Sequence, residues 1–383
     1  MVLSRLFSFK EIRKRAGSPD YVMLVSFIFI LGFGLLMLSS ASADLGKIRE
    51  GDTYFYLKSQ LTKGVGLGLL AFLFLYFIDY KYLKKFSIFL LLLSIILLIL
   101  VFTPLGETKK GATRWLDIGP ASIQPAEIVK FTFLIYVASW LSGKKGERRR
   151  ENLKEGFLPF ILISGIIATL LFLQPATSIV AIIMLSALIV YYIAGGKKSF
   201  VFWLVLVITL AISVYAFFTP YRWARISSFF DFIKTGEVTD TTGAQHQLNQ
   251  NLITIGSGGI FGVGYGNSVN KKSYLPEPIG DSIFSVIAEE FGFVGATILI
   301  LIFFILVLRG FILAYRTEDT FARLVLVGFS SVIGIQVFTH VATNSGLIPT
   351  TGIPLPFVSF GSTSMAVFLA MAGVMLNMSK YAK

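Results

Sequence analysis

The stretch Tyr274-Leu-Pro-Glu-Pro-Ile-Gly-Asp281-Ser-Ile-Phe-Ser-Val-Ile-Ala-Glu-Glu290 joins a polar, glycine-rich segment to a long apolar run. Asp281 stands at the junction of the two. The apolar run is longer than the ~20 residues that a helix needs to cross the hydrocarbon core of a bilayer. The stretch therefore predicts a carboxylate at the mouth of a membrane helix, where it can do chemistry at the membrane surface.

The composition of the whole chain also indicates a membrane protein. Of its 383 residues, 55% are hydrophobic and 14% are charged, and the mean hydropathy is +0.77. A soluble chain carries about 25% charged residues. The chain has no cysteine and only two histidines, His246 and His340, which excludes disulfides and argues against a histidine-built metal site. The net charge of +13 does not indicate nucleic acid, because the basic residues cluster between apolar spans.

The hydropathy pattern predicts an all-α polytopic membrane protein with about ten transmembrane helices. The predicted spans cover residues 21–41, 60–79, 86–103, 125–142, 157–173, 177–194, 199–218, 283–308, 321–343 and 355–377. Ala41-Ser42-Ala43 resembles a signal-peptidase site. The first span is nevertheless longer than the ~7–15 residues of a signal-peptide core, so we expect it to be retained.

The distribution of basic residues predicts the orientation of the spans. With the N-terminus inside, the inside segments carry 21 basic residues and the outside loops carry 12. This bias follows the positive-inside rule and makes the terminal segments 1–20 and 378–383 cytoplasmic. The densest basic cluster, Lys144-Lys-Gly-Glu-Arg-Arg-Arg150, lies on an inside loop.

One outside loop, residues 219–280 between spans 7 and 8, is much longer than the others. Its apolar spacing predicts an amphipathic helix on the bilayer through Ile226, Phe229, Phe230 and Ile233, and a second short helix through Leu248, Leu252 and Ile255. The glycines of Gly256-Ser-Gly-Gly259 allow a close backbone approach, either to another helix or to a bulky ligand.

Charged side chains inside the spans need partners or a function. Glu127 and Lys130 lie three residues apart on one helix face. They form either a self-neutralising structural pair or the wall of a polar cavity in which Lys130 meets an anionic substrate; the two interpretations are compatible. Glu289 and Glu290 point about 100° apart, so at most one of them faces the side of Asp281.

Two polar features near Asp281 have a structural and a functional interpretation. Asp281 itself could simply cap the following helix, and spacing alone favours that role. Gln336, His340 and Asn344 form a stripe at four-residue spacing, which more often bonds neighbouring helices than substrates.

Several motifs, taken in order along the chain, resemble those of the FtsW/RodA (SEDS) family of peptidoglycan glycosyltransferases. They are Gly111-Ala-Thr-Arg-Trp-Leu116, Gln124-Pro-Ala-Glu-Ile-Val-Lys130, Tyr221-Arg222 with Arg225, Asn251-Leu-Ile-Thr-Ile-Gly-Ser-Gly-Gly-Ile-Phe-Gly262, Tyr274-Leu-Pro-Glu277 with Asp281, Glu289-Glu290, and Thr350-Thr-Gly-Ile-Pro-Leu-Pro-Phe357. The stretch from Gly266 to Glu277 is more similar to the division branch (FtsW) than to the elongation branch (RodA).

The resemblance implies polymerisation of lipid II on the outer face of the bacterial cytoplasmic membrane, in cell division or cell-shape maintenance. It also implies undecaprenyl pyrophosphate as the leaving carrier, a class B penicillin-binding protein (a transpeptidase) as partner, and other division or elongation machinery. Asp281 matches the family's essential acid, and we expect it to act as general base in an inverting single displacement. The substrate-binding candidates are Arg114, Trp115, Glu127, Lys130, Arg222, Lys271, Lys272, Glu277, Glu289 and Glu290.

The chain departs from the family pattern after Gln174-Pro175, where Ala176 replaces the usual aspartate. We therefore expect no metal ligand there; a divalent cation, Mg²⁺ or Mn²⁺, is a candidate cofactor that the sequence does not define. Two other functions fit the same features: a flippase that carries lipid II across the bilayer, and a non-catalytic scaffold of the division machinery.

Overall fold

The structure is a computed structural model that describes residues 17–109, 111–119, 122–236, 243–272 and 274–382. Local sequence signals set the ends of its first helix. Helix α1 (Tyr21–Glu50) begins after Asp20, whose carboxylate accepts a hydrogen bond from the backbone N–H of Met23. It ends at Gly51, which has a left-handed backbone with φ of 73°. For residues 208, 212, 216 and 220–222 the structure describes the backbone and not the side chains.

The other helices follow in chain order. They are α2 (Phe55–Phe77), α3 (Tyr80–Leu100), α4 (Pro125–Leu141), α5 (Gly143–Glu151), α6 (Leu153–Leu173), α7 (Thr177–Ile193), α8 (Lys198–Phe218), α9 (Pro220–Thr235), α10 (Ala244–Ser257), α11 (Ile283–Arg316), α12 (Thr320–Asn344) and α13 (Ser362–Ser379). Each of the ten predicted spans corresponds to one of these helices. Within the described residues, eight are long and apolar enough to cross a membrane, and α4 and α7 are shorter, with 17 residues each.

Between α3 and α4 the chain forms a small antiparallel sheet that the hydropathy pattern did not predict. Its strands are β1 (Gly106–Lys109), β2 (Ala112–Asp117) and β3 (Ser122–Ile123), in the order β1-β2-β3. In β1 the ammonium group of Lys109 hydrogen-bonds the carboxylate of Glu107 and lowers its pKa. The sheet adds a rigid element to one end of a protein that is otherwise helical.

The most buried helices, α12 and α13, form the centre of the bundle. Helix α12 packs against α4, α7 and α11, and α13 packs against α2. The first and last described segments meet at one end of the bundle, where the backbone N–H of Gly17 donates to the carbonyl of Lys380 and Arg309 pairs with Asp20 at 2.6 Å. We call this the terminal end. The sheet and Asp281 lie at the opposite end, the Asp281 end.

Both helices that the amphipathic spacing predicted in the long loop are present as α9 and α10. The glycines after α10 approach another helix. Helix α11 breaks at Gly292, with φ of 66° and ψ of −170°. The segment after α10 bonds the backbone groups beside the break: Val263 N–H donates to the backbone carbonyl of Glu289 at 3.0 Å, and Phe293 N–H donates to the Gly259 carbonyl at 2.9 Å. A Cβ at Gly292 would lie 2.3 Å from the nitrogen of Gly262, so only glycine fits there.

Candidate active site

Asp281 is half-buried and lies one residue before Ser282, the N-cap residue of α11. The cap position therefore falls on Ser282, whose side chain makes no capping hydrogen bond. The backbone carbonyl of Asp281 accepts a hydrogen bond from Asn344 Nδ2 at 2.9 Å. Gly352 lies beside the carboxylate, because a Cβ at that position would be 3.2 Å from Asp281 Oδ2. A residue larger than glycine would crowd the carboxyl group.

The polar stripe on α12 holds the loop that contains Gly352. Gln336 Nε2 donates to the carbonyl of Pro354 at 2.8 Å, and His340 Nδ1 donates to the carbonyl of Ile353 at 2.6 Å. Asn344, one turn further on, holds the backbone of Asp281. The interpretation that this stripe bonds neighbouring helices is confirmed, since Gln336 accepts a hydrogen bond from Lys130 of α4 and Asn344 accepts one from Ser285 of α11. The stripe also bonds the two segments that place the candidate acid.

Below this loop, Glu127 and Lys130 form an ion pair of 2.7 Å with side chains only 2% and 1% exposed. Lys130 Nζ also donates to Gln336 Oε1 at 2.8 Å and lies 4.9 Å from the ring centre of Phe368. The structural pair that the sequence predicted is therefore present. It connects to the Asp281 end through Gln336. A direct role of Lys130 in substrate binding stays a prediction.

Arg114 fastens the small sheet to the turn between α6 and α7. Its Nε donates to the carbonyl of Gln174 at 3.0 Å, and its Nη2 donates to the carbonyl of Pro175 at 2.7 Å. The neighbouring Trp115 is half-buried, with Lys109 Nζ 5.8 Å from its ring centre. The sheet thus places a guanidinium group at the turn that leads into α7.

The loop beside Asp281 is also held by α7 and α9. Ser178 Oγ donates to the carbonyl of Thr351 at 3.1 Å, and Arg225 Nη1 donates to the carbonyl of Thr350 at 3.2 Å. Within the described ranges, the buried hydroxyls of Thr350 and Thr351 make no hydrogen bond to protein. Buried hydroxyls normally have a partner, so these two could bond a bound ligand. The side chain of Arg222, a predicted substrate contact, lies outside the described part of the structure.

Three predicted substrate contacts, Lys271, Glu289 and Glu290, are buried, and Lys271 and Glu290 form a cluster with Ser40 of α1. Lys271 Nζ lies 2.6 Å from Glu290 Oε1, and Ser40 Oγ of α1 donates to the same oxygen at 2.6 Å. Glu289 accepts hydrogen bonds from Ser268 Oγ and, at 2.9 Å, from Asn270 Nδ2. These contacts fasten the segment that leads to Asp281. A contact of the three with substrate stays a prediction.

The two remaining substrate candidates differ in exposure. Lys272 is exposed, and Glu277 is half-buried with a left-handed backbone, φ of 51°. Several residues that shape the site gave little signal in the sequence. Ser178 carries no charge, and Ser40 lies 250 residues before its partner Glu290. Arg225 and Gly352 were visible only as parts of family motifs.

A metal ion would need oxygen ligands at this end. In the part of the chain that the structure describes, no group of three or more His, Asp or Glu side chains lies close enough to hold one. Mg²⁺ is commonly held by one or two carboxylates together with substrate phosphates. Asp281 could supply one such carboxylate, so the divalent cation stays a prediction.

Fold and site together define a polytopic membrane protein that holds the carboxylate of Asp281 among ordered loops at one end of its helix bundle. The chain belongs to the FtsW/RodA/SpoVE family of cell cycle proteins, whose sequence profile matches residues 21–383.

Curated relatives cover almost the full length of the chain. Stage V sporulation protein E of Bacillus subtilis (strain 168) is 33% identical over 96% of this chain and 98% of its own. A probable peptidoglycan glycosyltransferase FtsW of Geobacter sp. (strain M18) is 34% identical over 96% of this chain and 98% of its own.

Solved structures share the fold. A chain of a peptidoglycan synthase complex, studied for coordination of polymerization and crosslinking, has a TM-score of 0.76 and 26% identity, over 95% of this chain and 99% of that chain. The crystal structure of the rod shape determining protein RodA of Thermus thermophilus has a TM-score of 0.68 and 25% identity, over 95% and 98%. The family that the motifs predicted is therefore confirmed.

Proposed function

We propose that this protein is a peptidoglycan glycosyltransferase that polymerises lipid II into glycan strands. The observation that carries the proposal is the placement of Asp281: a half-buried carboxylate beside Gly352, with its backbone held by Asn344. Relatives named probable peptidoglycan glycosyltransferase FtsW support the same activity. Their names, and that of the sporulation protein, favour the division branch of the family.

In the proposed reaction, the 4-hydroxyl of one lipid-linked sugar attacks C1 of another. The C1–oxygen bond to the pyrophosphate breaks, and the electron pair leaves with undecaprenyl pyrophosphate. The carboxylate of Asp281 takes the proton of the attacking hydroxyl. A positioned general base typically accelerates such a step by about 10²–10⁴-fold. A single displacement without a covalent enzyme intermediate inverts the configuration at C1.

Charge and rigidity at the Asp281 end support this reaction. Arg114 binds carbonyls of the turn before α7, and Arg225 binds a carbonyl of the loop from Thr350 to Pro354. Their positive charges suit a pyrophosphate leaving group, which needs a counter-charge more than it needs an acid. Gln336 and His340 fix the same loop from below. Such fixed positioning removes much of the entropic barrier of joining two substrates.

The proposed orientation puts the Asp281 end outside the cytoplasmic membrane and both termini in the cytoplasm, since the positive-inside rule favours it. A class B penicillin-binding protein is the proposed partner, and the solved synthase complex that shares the fold supports the pairing. The partner would crosslink the strands that this protein makes.

A lipid II flippase is the second candidate, because the ion pair of Glu127 and Lys130 is buried in the bundle. Purified protein with its transpeptidase, reconstituted in vesicles that carry fluorescent lipid II, separates the two functions. We expect glycan polymer on a gel, without transfer of lipid II between leaflets. Transfer of lipid II without any polymer would contradict the glycosyltransferase and favour the flippase.

A further inference from the structure

A basic surface at the terminal end of the bundle has no part in the proposed reaction. Helix α5 turns by 89° from α4, so it runs along the membrane surface when α4 crosses the bilayer. Two arginines fasten it to the end of α4: Arg149 Nη1 donates to the Trp140 carbonyl at 2.9 Å, and Arg150 Nη2 donates to the Leu141 carbonyl at 2.7 Å. The helix is therefore held at the level of the lipid headgroups.

The other basic side chains of this surface are exposed. They are Lys144, Lys145, Arg148, Lys154, Lys197 and Lys198, and the exposed acidic side chains among them are Glu147, Glu151 and Glu155. The exposed side chains of this surface thus have an excess of three positive charges, in addition to the half-buried Arg149 and Arg150. Arg148 pairs with Glu155 at 3.1 Å, but both side chains are exposed and such pairs are worth only ~0–1 kcal/mol. An anion can therefore approach Arg148.

Arg148 and Lys197 line one shallow, open cavity of about 410 Å³, together with Glu151, Asn152 and Leu153. Leu153 is exposed and begins α6, which enters the membrane. Further along α6 an exposed apolar stripe recurs every fourth residue on one face: Leu158, Leu162 and Ile166. The cavity thus has a cationic rim, and the helix that begins at its lining residue Leu153 carries an exposed apolar stripe.

We propose that this cavity binds the phosphate of an anionic phospholipid, such as phosphatidylglycerol, whose acyl chains lie along the stripe on α6. Basic segments next to a transmembrane helix attract anionic lipids at about 1 kcal/mol per Lys or Arg. A free phosphate would satisfy Arg148 and Lys197 but would leave the apolar stripe unused. The site is independent of the glycosyltransferase activity.

The test uses the full-length protein in mixed micelles with phosphatidylglycerol, phosphatidylcholine or inorganic phosphate as probes. Bound lipid is counted by native mass spectrometry. We expect phosphatidylglycerol to bind in preference to phosphatidylcholine. The double variant Arg148→Gln/Lys197→Gln should bind phosphatidylglycerol about thirtyfold more weakly. The matched control Lys47→Gln/Arg49→Gln removes two exposed charges at the Asp281 end and should bind as wild type.

Three results would overturn the proposal. The first is equal binding of phosphatidylcholine and phosphatidylglycerol. The second is an equal loss of binding in the two double variants. The third is displacement of phosphatidylglycerol by equimolar inorganic phosphate, which would make the cavity a site for the free ion.

Discussion

Replacing Lys271 with methionine should destabilise the protein more than any exposed lysine replacement. The ammonium group lies 2.6 Å from Glu290 Oε1, and the two side chains are 3% and 0% exposed. At that distance and an effective dielectric constant of about 20, the attraction is about 6 kcal/mol. The Lys271→Met variant removes it and leaves the carboxylate of Glu290 buried, with only the hydroxyl of Ser40 as a donor. Breaking one partner of a buried pair costs about 3–5 kcal/mol.

The assay is the free energy of unfolding, measured by titrating the purified protein with a denaturing detergent in mixed micelles. Two variants serve as controls. Lys272→Met changes the neighbouring exposed lysine and should cost less than ~0.5 kcal/mol. Lys271→Met/Glu290→Met removes both charges and should recover at least half of the loss, because apolar residues of similar size replace buried ion pairs well.

Equal stability of the Lys271→Met and Lys272→Met variants would refute the buried cluster. A double variant no more stable than the single one would refute the pairing with Glu290. If instead Lys271→Met left stability intact but weakened lipid II binding, the contact with substrate predicted from the sequence would be correct.

Three further perturbations test other parts of the fold. Gly292→Ala should cost about 3 kcal/mol or more of stability, because the φ of 66° at Gly292 and the close backbone of Gly262 exclude a Cβ. The control Gly256→Ala has open space around it and should cost nothing. Equal effects of the two variants on the apparent melting temperature would refute the docked helix break. Lys130→Met should cost about 3–5 kcal/mol in the detergent titration by leaving Glu127 buried alone, and wild-type stability would contradict the pair. Burial lowers the pKa of Lys380 from 10.5 to about 8, so the folded protein releases the ammonium proton at a lower pH than the unfolded chain does. The free energy of unfolding should therefore rise between pH 8 and 10.5. A Lys380→Met variant that keeps the full rise would show that the rise comes from other groups.

Features that depend on residues close together in the sequence were predictable. Apolar runs of about 20 residues located the spans, and three-residue spacing paired Glu127 with Lys130 because the two share a helix face. The two helices of the long loop followed from apolar spacing alone. The glycines after α10 indicated a close backbone approach, although the sequence left open whether the neighbour was a helix or a ligand.

Features that join distant segments were not predictable. The family resemblance placed Lys271 and Glu290 near substrate, and nothing in the sequence indicates that Ser40 lies beside them. The strands of the small sheet are only two to six residues long, too short for a clear alternating pattern. The sequence did not indicate that Gly352 lies beside Asp281, because the position of its loop depends on hydrogen bonds from Gln336 and His340 of α12.

The most direct test of the proposed chemistry is the rate of lipid II polymerisation by the purified Asp281→Asn variant with its transpeptidase. The asparagine keeps the size of the side chain and loses the basic oxygen. We predict a rate about 10²–10⁴-fold below wild type, with an unchanged melting temperature. Asp231→Asn, which alters an exposed aspartate on α9, should polymerise at the wild-type rate. Wild-type polymerisation by Asp281→Asn would contradict the assignment of Asp281 as the general base.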